Sequence, residues 1–291
     1  MPQVNLVTFW QAFSRAAFTM RSMSSFPLSA DLIAASCSHA AIDVEVVAET
    51  GSTNADLMAR LPSLQAPLLR VAEMQTAGRG RAGRVWHSAA GAALTFSLAW
   101  RFQRPLAALA GLPLALGVAL ADGLATLNVE TRLKWPNDIL KDGAKLAGIL
   151  IETAPAPGGG VWAVIGVGIN IALPEALNAQ IGREAADLPA LRKDRNRVMA
   201  VLLDELARVL QQFDRNGFAP FRKRWNSLHG YAGQAVVILD QGRILHEGRA
   251  GGVDDNGRLL LDTDAGQVAI TAGDVSLRIQ ENPQQDSQKN S

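Results

Sequence analysis

Between Gln75 and Trp86 the chain reads Gln-Thr-Ala-Gly-Arg-Gly-Arg-Ala-Gly-Arg-Val-Trp, so Arg79, Arg81 and Arg84 alternate with Gly78, Gly80 and Gly83 and the run closes on Trp86. Guanidinium groups are permanently charged forks suited to phosphate oxygens. Glycine lets backbone amides approach a ligand closely and adopts φ > 0 without steric cost. An indole stacks on a flat base or on a guanidinium. Together these residues describe a cationic loop able to close over an anionic, nucleotide-derived ligand. By itself the run also fits an Arg-Gly segment that binds RNA.

Three further stretches carry polar chemistry. Ser52, Thr53 and Asn54 precede a helical pattern over Ala55–Leu61. Any of them can cap that helix, and the same amides and hydroxyls can hold a polar ligand group. Lys134-Trp135-Pro136-Asn137-Asp138 is followed by Lys145 and Gly148. Lys145 is either an ordinary strand-edge charge or a partner for phosphate or carboxylate. Gly166-Val167-Gly168-Ile169-Asn170 places two glycines inside an apolar run. That pattern marks a bulge or a close backbone approach, with the Asn170 amide available to a nucleobase.

These residues need a scaffold. Leu68–Met74 and Ala92–Trp100 read as strands on either side of the arginine loop, so the loop is held at both ends. Val44–Ala48 and Trp162–Ile171 read as further strands. Asp142-Gly143 is a hairpin-turn signal just before Lys145. Asp31–Ala41, Pro113–Leu127, Asn196–Phe213 and Phe218–Trp225 read as helices, Pro113 being suited to a first turn. From Gly233 the texture changes to short strands at Ala235–Leu239, Arg243–Gly248, Leu259–Asp262 and Gln267–Thr271. Asp255-Asn256-Gly257 and Asp264-Ala265-Gly266 separate the later ones, the pattern of a small antiparallel barrel.

The 291 residues suit one large domain and one small one, and 48% apolar content supports a core. A net charge of +1 argues against bulk attraction to nucleic acid, so the positive charge that matters is local. Cys37 is the single cysteine, which excludes an intrachain disulfide. His39, His87, His229 and His246 are scattered without ligand spacing. The apolar run Leu106–Ala121 is interrupted by Gly111, Pro113 and Gly117 and is shorter than the roughly 20 residues of a bilayer span. It reads as a core helix. Residues 1–30 have a targeting-like composition but no continuous apolar region with a cleavage site, and the reading is a disordered extension of a cytoplasmic protein. The polar Glu281–Ser291 also reads as disordered.

In order, Gly51-Ser52-Thr53-Asn54, Gly78–Trp86, Lys134–Asp138 with Lys145–Leu150, and Gly166–Asn170 closely resemble the biotin protein ligases over about residues 44 to 280. The resemblance implies an α/β (α+β) fold. Its catalytic part is a mixed sheet with helices on one side, related to class II aminoacyl-tRNA synthetases and lipoate ligases. An SH3-like small β-barrel follows. The implied division is an extension over 1–42 with a short helix, a catalytic domain over 43–231, a barrel over 232–280 and a tail over 281–291.

The resemblance further implies that biotin and Mg-ATP form biotinyl-5′-AMP and pyrophosphate. A lysine of a biotin carboxyl carrier protein, such as that of acetyl-CoA carboxylase, then takes the acyl group and AMP leaves. It places Ser52, Thr53, Asn54, Gln75, Gly78, Arg79, Gly80, Arg81, Lys145 and Gly148 around biotin. Arg79, Arg81, Arg84, Trp86, Asn137, Lys145 and Asn170 fall around ATP or the adenylate, with Arg84 at phosphate and Trp86 and Asn170 at adenine. Lys145, Arg81 and Asp138 are the implied catalytic residues. Asp138 either helps to place metal or acts as base for the incoming lysine. No metal site of the protein's own is assigned, and Mg2+ arrives with ATP.

Some relatives carry an N-terminal winged helix-turn-helix. The roughly 43 residues ahead of the first matching strand show no recognition-helix pattern, so sequence-specific DNA binding is not expected. Monomer and homodimer both remain open, and no membrane association is expected. A lipoate–protein ligase is the near alternative, and a nucleic-acid-binding module using the arginine loop is the distant one.

Overall fold

A computed structural model describes residues 26–38, 41–181, 184–240, 242–273 and 275–280. The readings of residues 1–25 and of Glu281–Ser291, and that of His39, lie outside the described residues. Seven strands form a mixed sheet: β1 (Asp43–Thr50), β2 (Leu68–Gln75), β3 (Ala93–Phe102), β4 (Arg132–Lys134), β5 (Asp138–Lys141), β6 (Ala144–Pro155) and β7 (Val161–Asn170). Their order is β1-β2-β3-β7-β6-β5-β4. Only β1 and β2 are parallel.

The period-2 alternation of the strands divides the sheet into two faces. On β7, Val161, Ala163, Ile165, Val167 and Ile169 enter the main apolar core, whereas Trp162 and Val164 belong to a second, smaller core. Gly166, Gly168 and Asn170 continue that second face. The main core is covered by α3 (Leu112–Thr126) and α5 (Arg195–Asn216), which pack on each other. The second face is covered by α2 (Thr53–Arg60), whose Leu57 joins Leu61, Leu68, Ala99, Trp162 and Val164. Helices therefore lie on both faces, not on one side as the resemblance implied. Without α2, the indole of Trp162 and the side chain of Val164 would face water.

Helix α3 follows a 3-10 turn at Leu106–Leu109, with Pro113 in its first turn. The helical stretch Leu106–Thr126 is 21 residues long. It is longer than the sequence reading allowed, because the 3-10 turn runs on into α3. Leu112, Leu114, Leu116, Leu120 and Leu124 all lie in the main core, as in a buried helix apolar on all sides. The helix read at Phe218–Trp225 begins later. A 3-10 turn at Ala219–Phe221 leads into α6 (Arg222–Leu228), while α4 (Glu175–Ile181) was not anticipated.

The short helix read at Asp31–Ala41 is present but starts and ends earlier, and residues 26–30, read as disordered, take defined structure with it. Ser29 caps α1 (Ala30–Ser36), and Leu28 and Ile33 enter the main core. The segment is tied to α5 at both ends. The Ser29 amide donates to Asn196 Oδ1 at 2.8 Å, and the Ser38 amide donates to Asp204 Oδ1 at 2.8 Å.

A second sheet follows, antiparallel throughout, in the order β11-β10-β9-β8-β12. Its strands are β8 (Ala235–Asp240), β9 (Arg243–Val253), β10 (Leu259–Thr263), β11 (Gly266–Ile270) and β12 (Val275–Ile279). Strand β9 runs five residues past the expected end, and β12 was missed. The two sheets share the main core through Val236, Ile238, Leu259, Leu261 and Leu277. Trp135 is buried and donates from Nε1 to the Gly257 carbonyl at 3.1 Å. The Val253 amide donates to Asn226 Oδ1 at 2.9 Å.

His229, just after α6, is buried against Trp225, with ring centroids 4.7 Å apart. Neither ring nitrogen has a partner among the described residues, and burial pushes its pKa down from 6.5 to about 4. Above pH 6.5 the ring is neutral in both folded and unfolded chains, and the full stability is present. Between 6.5 and about 4 only the unfolded chain takes the proton, so stability falls with pH by about 3 kcal/mol in total. Urea midpoints at pH 7.5 and 4.5 should therefore converge in His229→Leu relative to wild type. An unchanged difference between the two midpoints would refute the assignment.

Candidate active site

The site lies on the second face of the large sheet, beyond the N-terminus of α2. Ser52 is the helix cap, accepting from the Ala55 amide at 3.4 Å. Thr53 and Asn54 begin the helix and are almost fully buried. Both capping and site positions are thus occupied, by successive residues. The Thr53 amide donates to Gln75 Oε1 at 2.8 Å, and the Thr53 hydroxyl lies 2.7 Å from that of Ser97 on β3. The Ser97 hydroxyl donates to Asn54 Oδ1 at 2.5 Å, and Asn54 Nδ2 donates to Glu152 Oε2 at 2.9 Å. Ser88 holds Gln75 in place from the other side, its hydroxyl accepting from the Gln75 amide at 3.0 Å.

The arginine loop is a miniature hairpin. Arg79 and Val85 form an antiparallel bridge, and the Trp86 amide donates to the Gly78 carbonyl at 2.9 Å. The turn passes through Ala82 (φ 53°) and Gly83 (φ 69°), both left-handed, the geometry that lets two chain segments reverse tightly. Arg79 Nη2 donates to Glu152 Oε2 at 2.9 Å. Arg81 Nη1 donates to Asn137 Oδ1 at 3.0 Å, and Arg81 Nη2 donates to the Gly273 carbonyl. Arg81 thereby spans from the large sheet to the loop before β12.

Lys145 reaches the site because of a register shift. Asp138 pairs with Gly148 and Ile139 with Ala147, but Leu140 pairs with Lys145, leaving Leu146 as an extra residue. Such a bulge re-aims the residue beside it. Lys145 consequently shares a face with Asp138 and Gly148 and ion-pairs with Asp138 Oδ1. The hairpin ahead of it turns at Asp142 (φ 51°) and Gly143 (φ 82°), as the sequence reading required. Asn137 is fixed by its Nδ2 donating to the Ile149 carbonyl at 2.8 Å.

The site glycines make room for site side chains. A Cβ at Gly148 would stand 3.0 Å from Lys145 Nζ, one at Gly166 2.2 Å from Asn54 Oδ1, and one at Gly168 2.3 Å from the Trp86 ring. Strand β7 pairs with β3 in unbroken register, so there is no bulge at these glycines. The close approach is by Asn54 and Trp86 of the same chain. Gly168→Ala should therefore displace the indole at a cost of about 1–3 kcal/mol. Faster trypsin cleavage in the arginine loop or a lowered Tm would register it. If neither changes, Trp86 does not depend on this packing.

Ser52, Thr53, Asn54, Gln75, Arg79, Gly80, Arg81, Arg84, Trp86, Asn137, Asp138, Lys145 and Gly148 all border one open cleft. Gly78, expected at the site, is not among the residues bordering it; a Cβ there would meet the Trp86 carbonyl at 2.5 Å. Asn170 borders an adjoining cavity with Arg84, Trp86, Lys145 and Arg278. Its Nδ2 donates to the Ala186 carbonyl at 3.0 Å and the Lys145 carbonyl at 3.3 Å. Trp86 Nε1 is buried with no partner among the described residues. No group of three or more His, Cys, Asp or Glu side chains suited to a metal ion occurs among the described residues.

The sequence reading missed Ser97, Glu152 and the β12 residues Val275–Arg278, all of which sit at or beside this cleft. Two hydroxyls at alternate positions, Thr95 and Ser97, in the Ala93–Ala99 run were a usable signal for Ser97. The alternation Val275-Ser276-Leu277-Arg278 was one for β12.

Lys145 and four arginines, Arg79, Arg81, Arg84 and Arg278, line a cleft whose strands carry Gly148, Gly166 and Gly168 and whose rim is the second sheet, an arrangement suited to an enzyme that binds an anionic ligand. Residues 45–170 match the biotin/lipoate A/B protein ligase family, and residues 231–278 match the biotin protein ligase C-terminal domain. The biotin–[acetyl-CoA-carboxylase] ligase of Mycobacterium tuberculosis is 41% identical over 242 residues, covering 80% of this chain and 88% of that protein. The bifunctional ligase/repressor BirA of Escherichia coli is 36% identical, covering 81% and 74%. The biotin protein ligase from Aquifex aeolicus in complex with biotin and ATP superposes with a TM-score of 0.68 at 29% identity, covering 81% of this chain and 99% of that one. The chain belongs to the biotin protein ligases.

Proposed function

We propose that this chain joins biotin to one lysine of the biotin carboxyl carrier protein of a carboxylase such as acetyl-CoA carboxylase, using ATP. A biotin carboxylate oxygen attacks the α-phosphorus of Mg-ATP. The bond to the β-phosphate oxygen breaks, pyrophosphate leaves, and biotinyl-5′-AMP remains. The neutral amine of the carrier lysine then attacks the acyl carbon, the bond to the AMP oxygen breaks, and the amine proton passes to a base. Residues 43–231 supply the chemistry, residues 232–280 cover one side of the cleft, and the reaction runs in the cytoplasm.

The observation that carries this reading is the convergence of Lys145, Arg79 and Arg81 on one cleft that also holds the neutral polar cluster of Thr53, Asn54 and Gln75. Bringing a carboxylate to a phosphate joins two anions, and fixed cations lower that repulsion most where charge accumulates. Lys145 bridges the carboxylate and the α-phosphate, while Arg81 and Arg79 hold the adenylate. Arg84 meets phosphate, Trp86 and Asn170 lie at adenine, and Asn137 orders Arg81. The polar cluster suits the ureido ring, which both donates and accepts hydrogen bonds, whereas a dithiolane ring offers it nothing. Asp138, released from Lys145 as the anions arrive, is placed to take the amine proton. Mg2+ enters with the ATP phosphates.

The test is the intact mass of an apo carrier domain after incubation with the protein, biotin and Mg-ATP. The expected result is a gain of biotin less water that requires ATP. No gain with a competent acceptor, or a gain with lipoate in place of biotin, overturns the reading.

A further inference from the structure

Glu152 lies outside the residues assigned above, yet it ends the hydrogen-bond chain that lines the cleft. We propose that Glu152 is a positioning residue that sets the proton order of that chain and so leaves acceptors for the N–H groups of a ureido ring. The inference rests on the biotin reading of the site.

The argument is a proton count. A carboxylate only accepts, and Glu152 Oε2 takes both Asn54 Nδ2 and Arg79 Nη2, each at 2.9 Å. The Asn54 amide therefore has one orientation, with Oδ1 turned to Ser97. Ser97 spends its single proton on that oxygen at 2.5 Å. The 2.7 Å contact between Thr53 and Ser97 must then carry the Thr53 proton. Thr53 has no second proton for Gln75 Oε1, which lies 3.1 Å away and receives only the Thr53 backbone amide. Thr53 Oγ1 and Gln75 Oε1 each keep a lone pair, and both residues border the cleft.

A side chain at 152 with no acceptor removes the constraint. In Glu152→Leu, Asn54 can turn its Nδ2 toward Ser97, Ser97 then donates to Thr53, and Thr53 donates to Gln75 Oε1. The chain inverts, and the acceptor on Gln75 is consumed within the protein. In Glu152→Gln the amide oxygen still accepts from Asn54 Nδ2 and Arg79 Nη2, because an amide nitrogen there would face the donor-only guanidinium, so the proton order is kept. Both changes remove the ion pair with Arg79.

The experiment measures biotin affinity without ATP by calorimetry, and KM for biotin in carrier biotinylation, for wild type, Glu152→Leu and Glu152→Gln. Glu152→Leu should weaken biotin about tenfold in both Kd and KM, as for one lost hydrogen bond to a buried group. Glu152→Gln, which loses the charge facing Arg79 but keeps the acceptor, should stay close to wild type. Biotin affinity within twofold of wild type in Glu152→Leu would overturn the proposal, as would an equal loss in Glu152→Gln. Failure of wild type itself to bind biotin would count against the biotin reading instead, which separates the two.

Discussion

Lys145→Ala is expected to lower kcat/KM for carrier biotinylation by roughly 10²–10³-fold, the scale for removing one charge-stabilising donor from a site. The side chain is mostly buried, with 18% exposure, and its ion-pair partner Asp138 is 14% exposed. Removal does two things. On the proposed reading it takes away the cation at which carboxylate and α-phosphate meet, and it leaves the Asp138 carboxylate as a third anion there. Coulomb repulsion at such a partly buried site is weakly screened. Lys145→Ala with Asp138→Asn should consequently form the adenylate faster than Lys145→Ala alone, although far slower than wild type. Adenylate formation followed by pyrophosphate release separates this step from acyl transfer. A Lys145→Ala protein within threefold of wild type would remove the lysine from the mechanism.

The second large effect is on stability. Arg195, at the start of α5, is 2% exposed and meets Glu73 of β2 through two bonds, Nη1 to Oε2 at 2.7 Å and Nη2 to Oε1 at 3.2 Å. Arg195 Nη2 also donates to the Phe26 carbonyl at 2.9 Å, and the Leu28 amide donates to Glu73 Oε1 at 2.6 Å. This pair pins the N-terminal segment between sheet and helix. Glu73→Ala leaves a buried guanidinium without its anion, which costs about 3–5 kcal/mol, equivalent to a Tm loss of roughly 10 °C. Replacing both partners, as in Glu73→Leu with Arg195→Met, should recover most of that loss, because the desolvation penalty disappears with the charges. A Glu73→Ala Tm within about 2 °C of wild type would show that the segment is not held this way.

Two local readings carried straight through to the structure. Ser52 caps α2 because a hydroxyl before a helical run satisfies a free amide whatever surrounds it. Asp142-Gly143 turns the β5–β6 hairpin because those residues tolerate the left-handed backbone a two-residue turn demands. Membership of the ligase family was equally legible, since four short motifs in order place lysine, arginine and glycine at the positions that one cleft assembles.

What each motif touches was decided elsewhere. The glycines of β7 could mean a bulge or a close approach until β3 was seen to pair with β7 in unbroken register and Trp86 to lie on Gly168. Lys145 faces the cleft only because Leu146 is an extra residue against β5, and a one-residue slip sends a side chain to the opposite face. Glu73 with Arg195, Glu152 with Asn54 and Arg79, and Arg81 with the Gly273 carbonyl join residues far apart in the chain. Caps, turns and strand alternation are set by sterics and hydrogen bonds within a few residues, so the sequence alone determined them. Partners across the sheet depend on register and on which faces the helices cover, and those are properties of the whole packed chain.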